Sequence, residues 1–443
     1  MRALASRACS GFPPGSSSGR GGGSHDDDAG WLRNMSRLQK RISRTKEAAV
    51  AADRALASNW KRANFKMAYL GQSSSKGGAV MALEVRDGLV ATATAVGEVC
   101  IQSLPAGSVI AQLSAPGDVS GDLTAMDFDG CHVIAGFASG EVAAWDIGPM
   151  IVGGLNTAME NESFVEGTVM PDETDGVEGA NEFTHTEYDS NNKPVGDGAD
   201  DQMNAMVARL GRPVFVGVHS DNGIPVTGVT LCDRPPHASG AVCPLPDFSG
   251  QSIFPKFITS SADGMFRCWG GQEAKGWTSL QSRMGPVCCV STFGSQYVIA
   301  GTMTGHVQIW PQYKQYSNED PIITFRAHES QVTALQHFCA GTSDEKLITG
   351  GADGLVRVWD MTRGGKPIHE FKGHDDGITS VQSDSSKVVT AGLDNTVRVW
   401  DASNGKQLYR LNGEATDAIS ARFEGPWLVW NGISRSVLLM DYS

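Results

Sequence analysis

The chain has 443 residues, 40% of them apolar and 19% charged, with 53 Gly and 19 Pro. Gly stands well above its usual share of about 7%, which points to many tight turns and short strands rather than long helices. No run of about 18 apolar residues occurs, which argues against a membrane-spanning helix, and a net charge of −13 argues against nucleic acid as the main ligand, because phosphate binding needs a basic surface.

Residues 1–30 read as a disordered tail. The first 25 contain no acid, three Arg and several Ser, as transit peptides do, but Gly11–Gly23 is a Gly/Ser/Pro run with no apolar segment. Residues 31–62 read as a basic amphipathic helix and linker. Trp31, Met35, Leu38, Ile42, Thr45, Ala49, Ala52 and Leu56 follow helical spacing, and residues 31–66 carry ten Lys/Arg against two acids. The acidic insert, 148–210, is too poor in apolar residues to order itself, with thirteen acids and one Lys in 148–204. It reads as a solvated loop insertion, with an acidic tether for a basic partner and self-association with the basic helix as the sharper alternatives. A second interruption, 233–252, is a Pro-rich loop. The nine Cys are odd in number and form no CxxC, so neither a disulfide framework nor a zinc ribbon is indicated. Buried, reduced thiols in a cytoplasmic or nuclear setting are expected.

The rest of the chain, 63–443, repeats itself. Lys346–Asp360, KLITGGADGLVRVWD, matches Lys387–Asp401, KVVTAGLDNTVRVWD, at an offset of 41 residues, and Lys256–Trp269, KFITSSADGMFRCW, has the same form. Tyr297–Trp310, His132–Asp146, Leu89–Gln102 and Trp427–Asp441 are four further copies. Each reads as strand, tight turn, strand, preceded by a short strand such as Ile378–Gln382 and followed by another such as Gln407–Leu411. Four strands per period of about 40 residues make a propeller blade. With the two interruptions removed, the repeat region divides into seven units of about 42 residues. The last copy ends on its third strand, and Asn64–Leu70 is placed to supply its missing outer strand, since an open edge is a liability. The predicted fold is all-β: a seven-bladed propeller closed by an N-terminal strand, with the amphipathic helix before it and the insert in blade 2.

With Gly373-His374 and Trp400-Asp401 in one unit, and Trp359-Asp360 and Trp145-Asp146 in others, the chain resembles the WD40-repeat family. The resemblance implies a buried tetrad of His, Ser/Thr, Asp and Trp in each regular blade. It falls on His374, Thr390, Asp394 and Trp400, on His328, Thr349, Asp353 and Trp359, and on His219, Thr259, Asp263 and Trp269. It also implies protein binding on the face that carries the loops before the inner strand and before the tetrad Asp, near Asn222, Gln331, Ala352, Asp376 and Leu393. Ser58–Lys66, SNWKRANFK, looks like the linker of F-box/WD-repeat substrate receptors of ubiquitin ligases, although no F-box pattern stands in residues 1–30.

A catalytic triad of His374, Asp394 and Ser380 competes with the tetrad, but the His–Asp pair recurs in three blades, whereas a catalytic constellation occurs once. No phosphate loop, metal-ligand spacing or cofactor motif is present in the sequence. Arg267, Arg357 and Arg398 recur at one blade position, either as a basic ring or as stems packed between blades. The expectation is a non-catalytic platform that binds other proteins through its propeller faces, without cofactor or metal and with no membrane or main nucleic-acid partner. A substrate-recruiting subunit of a ubiquitin ligase, docking an adaptor through the N-terminal region, is the sharpest form. A general scaffold of a signalling or RNA-related assembly is the alternative, and an enzyme with a site in the channel is the remote one.

Overall fold

The computed structural model describes residues 50–72, 79–115, 121–148, 150–151, 213–219, 222–232, 256–269, 278–293, 297–311, 320–339, 345–361, 366–384, 386–412, 420–433 and 436–443. The chain divides into two compact units, Met1–Ser58 and Asn59–Ser443. A helix runs over residues 50–62. The expected tail, residues 31–49 of the expected helix, the acidic insert beyond residue 151 and the Pro-rich loop 233–252 lie outside the described residues.

In the second unit, the strands form seven four-stranded antiparallel sheets, the blades of a propeller. Blades 1 to 6 occupy 80–114, 123–218, 226–281, 287–326, 332–371 and 378–412, and in each the strands pair in chain order. Each inner strand lies against the inner strands of both neighbouring blades. That of blade 7, Ala421–Glu424, lies against those of blades 6 and 1, so the ring is closed. In blade 2 the third strand, Glu141–Asp146, pairs with the fourth, Phe215–Val218, so the insert leaves and returns between strands three and four.

Why these short segments form stable strands follows from their burial. The second and third strands of blade 6, Lys387–Gly392 and Thr396–Asp401, are buried on both faces except at Asp401. A sheet sandwiched between two neighbours has no solvent face, so near-continuous Val, Ile, Ala and Thr replaces the usual alternation. The turn between these two strands needs a left-handed residue. Blades 1 to 5 place Gly97, Gly140, Gly264, Gly305 and Gly354 there, and blade 6 uses Asn395 at φ 59°, the residue type that tolerates this region best after glycine.

Blade 7 contributes three strands in chain order, and its outer strand is Lys66–Gln72, paired from Lys66↔Asp441 through Tyr69↔Leu438 and again, past an irregularity, at Gln72↔Ser436. The pairing starts two residues later than the first residue of the sequence-based segment. Gln102, which stands where the tetrad Trp would be in blade 1, donates to the Leu70 carbonyl of this strand at 2.9 Å. Just before the strand, the chain is pinned by its side chains. Asn59 Nδ2 donates to the Tyr442 carbonyl at 2.9 Å, and the buried Trp60 ring stacks on Tyr442 with centroids 3.9 Å apart. The Lys387 ammonium sits 4.5 Å from the Trp60 ring and 4.3 Å from the Phe423 ring, and it pairs with Asp384 at 2.6 Å. A cation held between two aromatic faces and a carboxylate, with little access to water, draws on both interactions.

The cysteine expectation needs one correction. Cys100, Cys232, Cys268, Cys288 and Cys289 are free thiols, but Cys131 is disulfide-bonded. Pairing depends on two sulfurs being brought together by the fold, which counting and spacing do not reveal.

Candidate functional site

Two side-chain systems decide what the propeller can do: the tetrads that fix the blades, and the mouth of the central channel. In blade 5, His328 Nδ1 lies 2.9 Å from Asp353, its Nε2 lies 2.8 Å from Thr349 Oγ1, and Trp359 Nε1 donates to the same hydroxyl at 2.9 Å. Blade 6 repeats this with His374, Asp394, Thr390 and Trp400 at 2.9, 2.8 and 2.9 Å. Burial lowers the pKa of both imidazoles and their aspartates only partly offset it, so each ring is neutral at pH 7. One direction of bonding then satisfies every atom. Nδ1–H donates to Asp, the Thr hydroxyl donates to Nε2, and the indole N–H donates to the hydroxyl. Burial opposes ionisation of Asp394, but bonds from His374 and Thr396 outweigh it and draw its carboxyl down to about 2.

The third set departs from expectation. His219 meets Thr259 Oγ1 at 2.6 Å and Trp269 Nε1 donates to that hydroxyl at 2.8 Å, but the imidazole uses Nδ1 for Thr259. Its Nε2 is buried with no partner among the described residues, and Asp263 accepts from the Met265 N–H at 2.8 Å. The ring is reversed relative to those of blades 5 and 6, and no hydrogen bond joins it to Asp263. Burial pushes the His219 pKa down to about 4, with Asp263 offsetting only part and Arg267 adding to the fall.

The recurring arginines are tied down rather than arrayed as a basic ring. Arg357 pairs with Glu370 at 2.7 Å and donates to the Ala327 carbonyl at 2.8 Å. Arg398 pairs with Asp394 at 3.1 Å and donates to Gln407, and Arg267 donates to the Val218 carbonyl at 3.3 Å. Both nitrogens of His374 are committed, and Ser380 donates to the Ala421 carbonyl at 3.1 Å while accepting from Arg422. Ser380 therefore has no bond to His374, and the geometry does not assemble the triad.

The channel mouth is built by one backbone contact repeated around the ring. In blades 1 to 6 the first turn residue after the second strand donates its N–H to the carbonyl of the residue preceding the inner strand: Ala95 to Ala79, Ala138 to Asp122, Ala262 to Pro225, Met303 to Pro286, Ala352 to Gln331 and Leu393 to Gly377, at 2.8–3.2 Å. Side chains at these positions rim the mouth, and most are apolar. Met303 is 54% and Leu393 49% exposed. A cavity of about 290 Å³ opens among Pro225, Thr227, Ala262, Pro286, Cys288 and Met303, with Gln331 at its edge. Deeper in the channel, Arg422 pairs with Glu84 at 2.9 Å.

Of the five residues expected to bind partners, Gln331, Ala352, Asp376 and Leu393 come together at this mouth. Ala352 bonds the Gln331 carbonyl, Leu393 bonds the Gly377 carbonyl, and Asp376 accepts the Gly377 N–H at 2.6 Å. Asn222 is exposed on the blade 2–3 side. Sequence reasoning missed Met303, Pro225, Pro286 and Cys288. The signal was there, since Met303 occupies in blade 4 the position of Ala352 and Leu393.

The family model described as "WD domain, G-beta repeat" matches residues 319–360 and 365–401. These are the units that carry the two complete tetrads. The chain carries WD40 repeats in a seven-bladed propeller. Similarity to the following curated proteins extends over short stretches. Mitochondrial division protein 1 of Vanderwaltozyma polyspora is 37% identical over 97 residues, 22% of this chain and 11% of that protein. The U3 small nucleolar RNA-associated protein 21 homolog of Schizosaccharomyces pombe is 32% identical over 104 residues, 23% of this chain and 11% of that protein. CCR4-associated factor 4 of Saccharomyces cerevisiae is 59% identical over 39 residues, 9% of this chain and 6% of that protein. The WD40 chain thus spans a small fraction of these relatives' length. Among solved structures, the computationally designed Ika8 protein superposes with a TM-score of 0.50 at 17% identity, covering 84% of this chain and all of the designed one. That likeness concerns the fold alone.

Proposed function

We propose that this WD40 propeller is a non-catalytic docking platform whose partner-binding surface is the channel mouth and its surrounding loops. A protein-interaction role belongs to the WD40 propeller in general; the choice of surface rests on one observation, the apolar rim. Met303 and Leu393 stand exposed on the rim, and Met303 lines an open cavity; exposed apolar surface next to a concavity marks interaction sites. The relatives' printed names speak of mitochondrial division, a small nucleolar RNA and an associated factor. Such spread among assemblies favours a scaffold that holds proteins together in the cytoplasm or nucleus. A second reading, the substrate-recruiting subunit of a ubiquitin ligase, is supported by Ser58–Lys66. There the buried Trp60 joins a helix to the closing strand, the place where the receptor linker it resembles would stand.

Capture of partners from native lysate with the full chain, and with the full chain carrying Leu393→Lys, tests both readings. Partners retained by the first and lost by the second support the mouth as the docking surface; partners held equally by both refute it. Co-purification of a cullin and its adaptor with both forms supports the ligase reading, and a stable set of other proteins without them removes it.

A further inference from the structure

Resting on the docking role above, we propose that the cavity at the mouth, between blades 2 and 5, receives one large apolar side chain presented by a basic segment of a partner protein. Size and chemistry of the walls limit what can enter. At about 290 Å³ the cavity lies at the bottom of the range for small-ligand pockets, about 300–1,000 Å³, and it suits a single aliphatic or aromatic side chain. Its polar wall groups are engaged with one another or with neighbours, the Gln331 side chain with Cys288. Thr124 Oγ1 donates to the Val226 carbonyl at 2.6 Å, Thr227 Oγ1 shares a hydrogen bond with Ser260 Oγ at 3.3 Å, and burial pushes the Cys288 thiol up to about 11, so it stays neutral. Pro225, Ala262, Pro286 and Met303 present carbon. A charged or strongly polar head would be desolvated here without compensation, whereas an apolar side chain gains by leaving water.

Outside the cavity, the same end of the propeller is acidic. Asp122, Glu329, Asp375 and Asp376 are exposed there. Asp263, Asp353 and Asp394 follow directly on Ala262, Ala352 and Leu393 of the rim. The basic groups nearby are paired with acids or bonded to carbonyls: Arg283 with Asp320 at 3.1 Å, Lys372 with Glu370 at 2.8 Å, Arg357 with Glu370, Arg398 with Asp394, and Arg326 to the His328 and Glu329 carbonyls. An apolar hole inside a negative rim is complementary to an apolar anchor flanked by Lys and Arg. The anchor supplies contact energy, and the flanks supply steering and selection against acidic segments.

A displayed library of random peptides of about twelve residues, selected on the purified full chain, tests this directly. The enriched peptides are expected to be net positive with one large apolar residue. A synthetic copy should lose about tenfold or more in affinity when that residue becomes Ser, and likewise against Met303→Lys, the amount carried by one buried large side chain. Asp122→Lys should weaken it further at low salt than at high salt. Both substitutions fall on exposed residues, so the fold is retained, and unchanged thermal unfolding checks that. No enrichment, enrichment of acidic or anchor-free peptides, or binding indifferent to Met303→Lys overturns the proposal. If a native partner is nevertheless captured by the full chain and released by Leu393→Lys, the docking role stands and only this chemistry falls. If no partner is captured, the docking role falls as well.

Discussion

Removing Asp394 should cost far more stability than removing Asp263, although the two occupy the same position in their repeats. Asp394 accepts from His374 Nδ1 at 2.9 Å, Thr396 Oγ1 at 2.8 Å, the Asp375 N–H at 3.1 Å and Arg398 at 3.1 Å. Its side chain and that of Arg398 are each 6% exposed. Asp394→Ala leaves a buried guanidinium without its carboxylate, a loss of about 3–5 kcal/mol by analogy with other buried pairs. The carboxyl's fall from 3.8 to about 2 independently implies about 2 kcal/mol, at 1.36 kcal/mol per pKa unit. A value near 3 kcal/mol is therefore expected. Because the folded pKa is depressed, this contribution is complete above pH 3.8 and fades only as the pH falls toward about 2, so pH 7 measures it in full. Asp263→Ala removes one bond to the Met265 N–H, worth about 1 kcal/mol, and deprives His219 of nothing it was bonded to. Guanidinium denaturation of the full chain, followed by Trp fluorescence and far-UV circular dichroism, reads the difference as a shift in midpoint at constant slope. Equal losses for the two variants would refute the reading that the third set is bonded differently.

The same imidazole makes an acid-sensitive point. His219 has a folded pKa of about 4 against 6.5, so the unfolded chain takes up the proton first; stability should fall as pH drops from about 6.5 toward about 4, by about 2 kcal/mol at pH 5. A His219→Gln variant should show a flatter dependence of midpoint on pH across that window, and an unchanged slope would reject the assignment. Trp60→Ala removes the stack on Tyr442 and one of the two rings around Lys387; a loss of about 3–5 kcal/mol is expected, with Trp60→Phe losing less, and a change below about 1 kcal/mol would show that the seam does not depend on this side chain. Gly305→Ala would drive a Cβ into the His328 carbonyl oxygen at φ 84°, whereas Gly285→Ala, at φ 87°, meets open space. The first should unfold at a clearly lower temperature than the second, whose cost is the left-handed strain alone, about 1 kcal/mol.

What could be read in the sequence was whatever repeats. Strand, turn, strand at a fixed offset located all seven second and third strands, because a sheet buried on both faces imposes the same demand on every blade. The third strand of blade 7 lacks a fourth partner in chain order, and edge physics directed attention to the residues before blade 1; the strand observed there is Lys66–Gln72. The complete tetrads of blades 5 and 6 were legible because four residue types coincide at fixed spacing. The orientation of the His219 ring was not, since either ring nitrogen can reach a hydroxyl and only local packing decides between them. The cluster of Trp60, Tyr442, Phe423 and Lys387 joins four distant parts of the chain, and no periodic signal connects them. The channel mouth fell between these cases. Its positions were legible from the repeat, but its character depends on what each blade puts there.

That division bears on where binding can arise. The backbone contacts at the mouth are the same in six blades, so they set a frame and carry no selectivity. Selectivity must come from side chains that differ between blades, and these differ most where the tetrad is incomplete. Blades 5 and 6 hold their turns with a His–Asp bond and an Arg pair. Blades 2 and 4 place Ala135 and Ala300 where Thr349 and Thr390 stand, and the buried Trp145 and Trp310 indole nitrogens have no partner among the described residues. In blade 3 the imidazole is not bonded to its aspartate. The cavity is lined mainly by blades 3 and 4, with Thr124 from blade 2 and Gln331 from blade 5, and in blades 2, 3 and 4 the tetrad is absent or altered. A tetrad ties the turn to the preceding loop, and it fixes the chemistry at one turn position as Asp. Where that tie is relaxed, the turn is free to carry other residues, as Ser139 and Thr304 do in blades 2 and 4. The acidic, fully bonded blades 5 and 6 then supply charge at the rim, and the less regular blades beside them supply the apolar hole. A repeat fold acquires a one-sided site in this way without changing its frame.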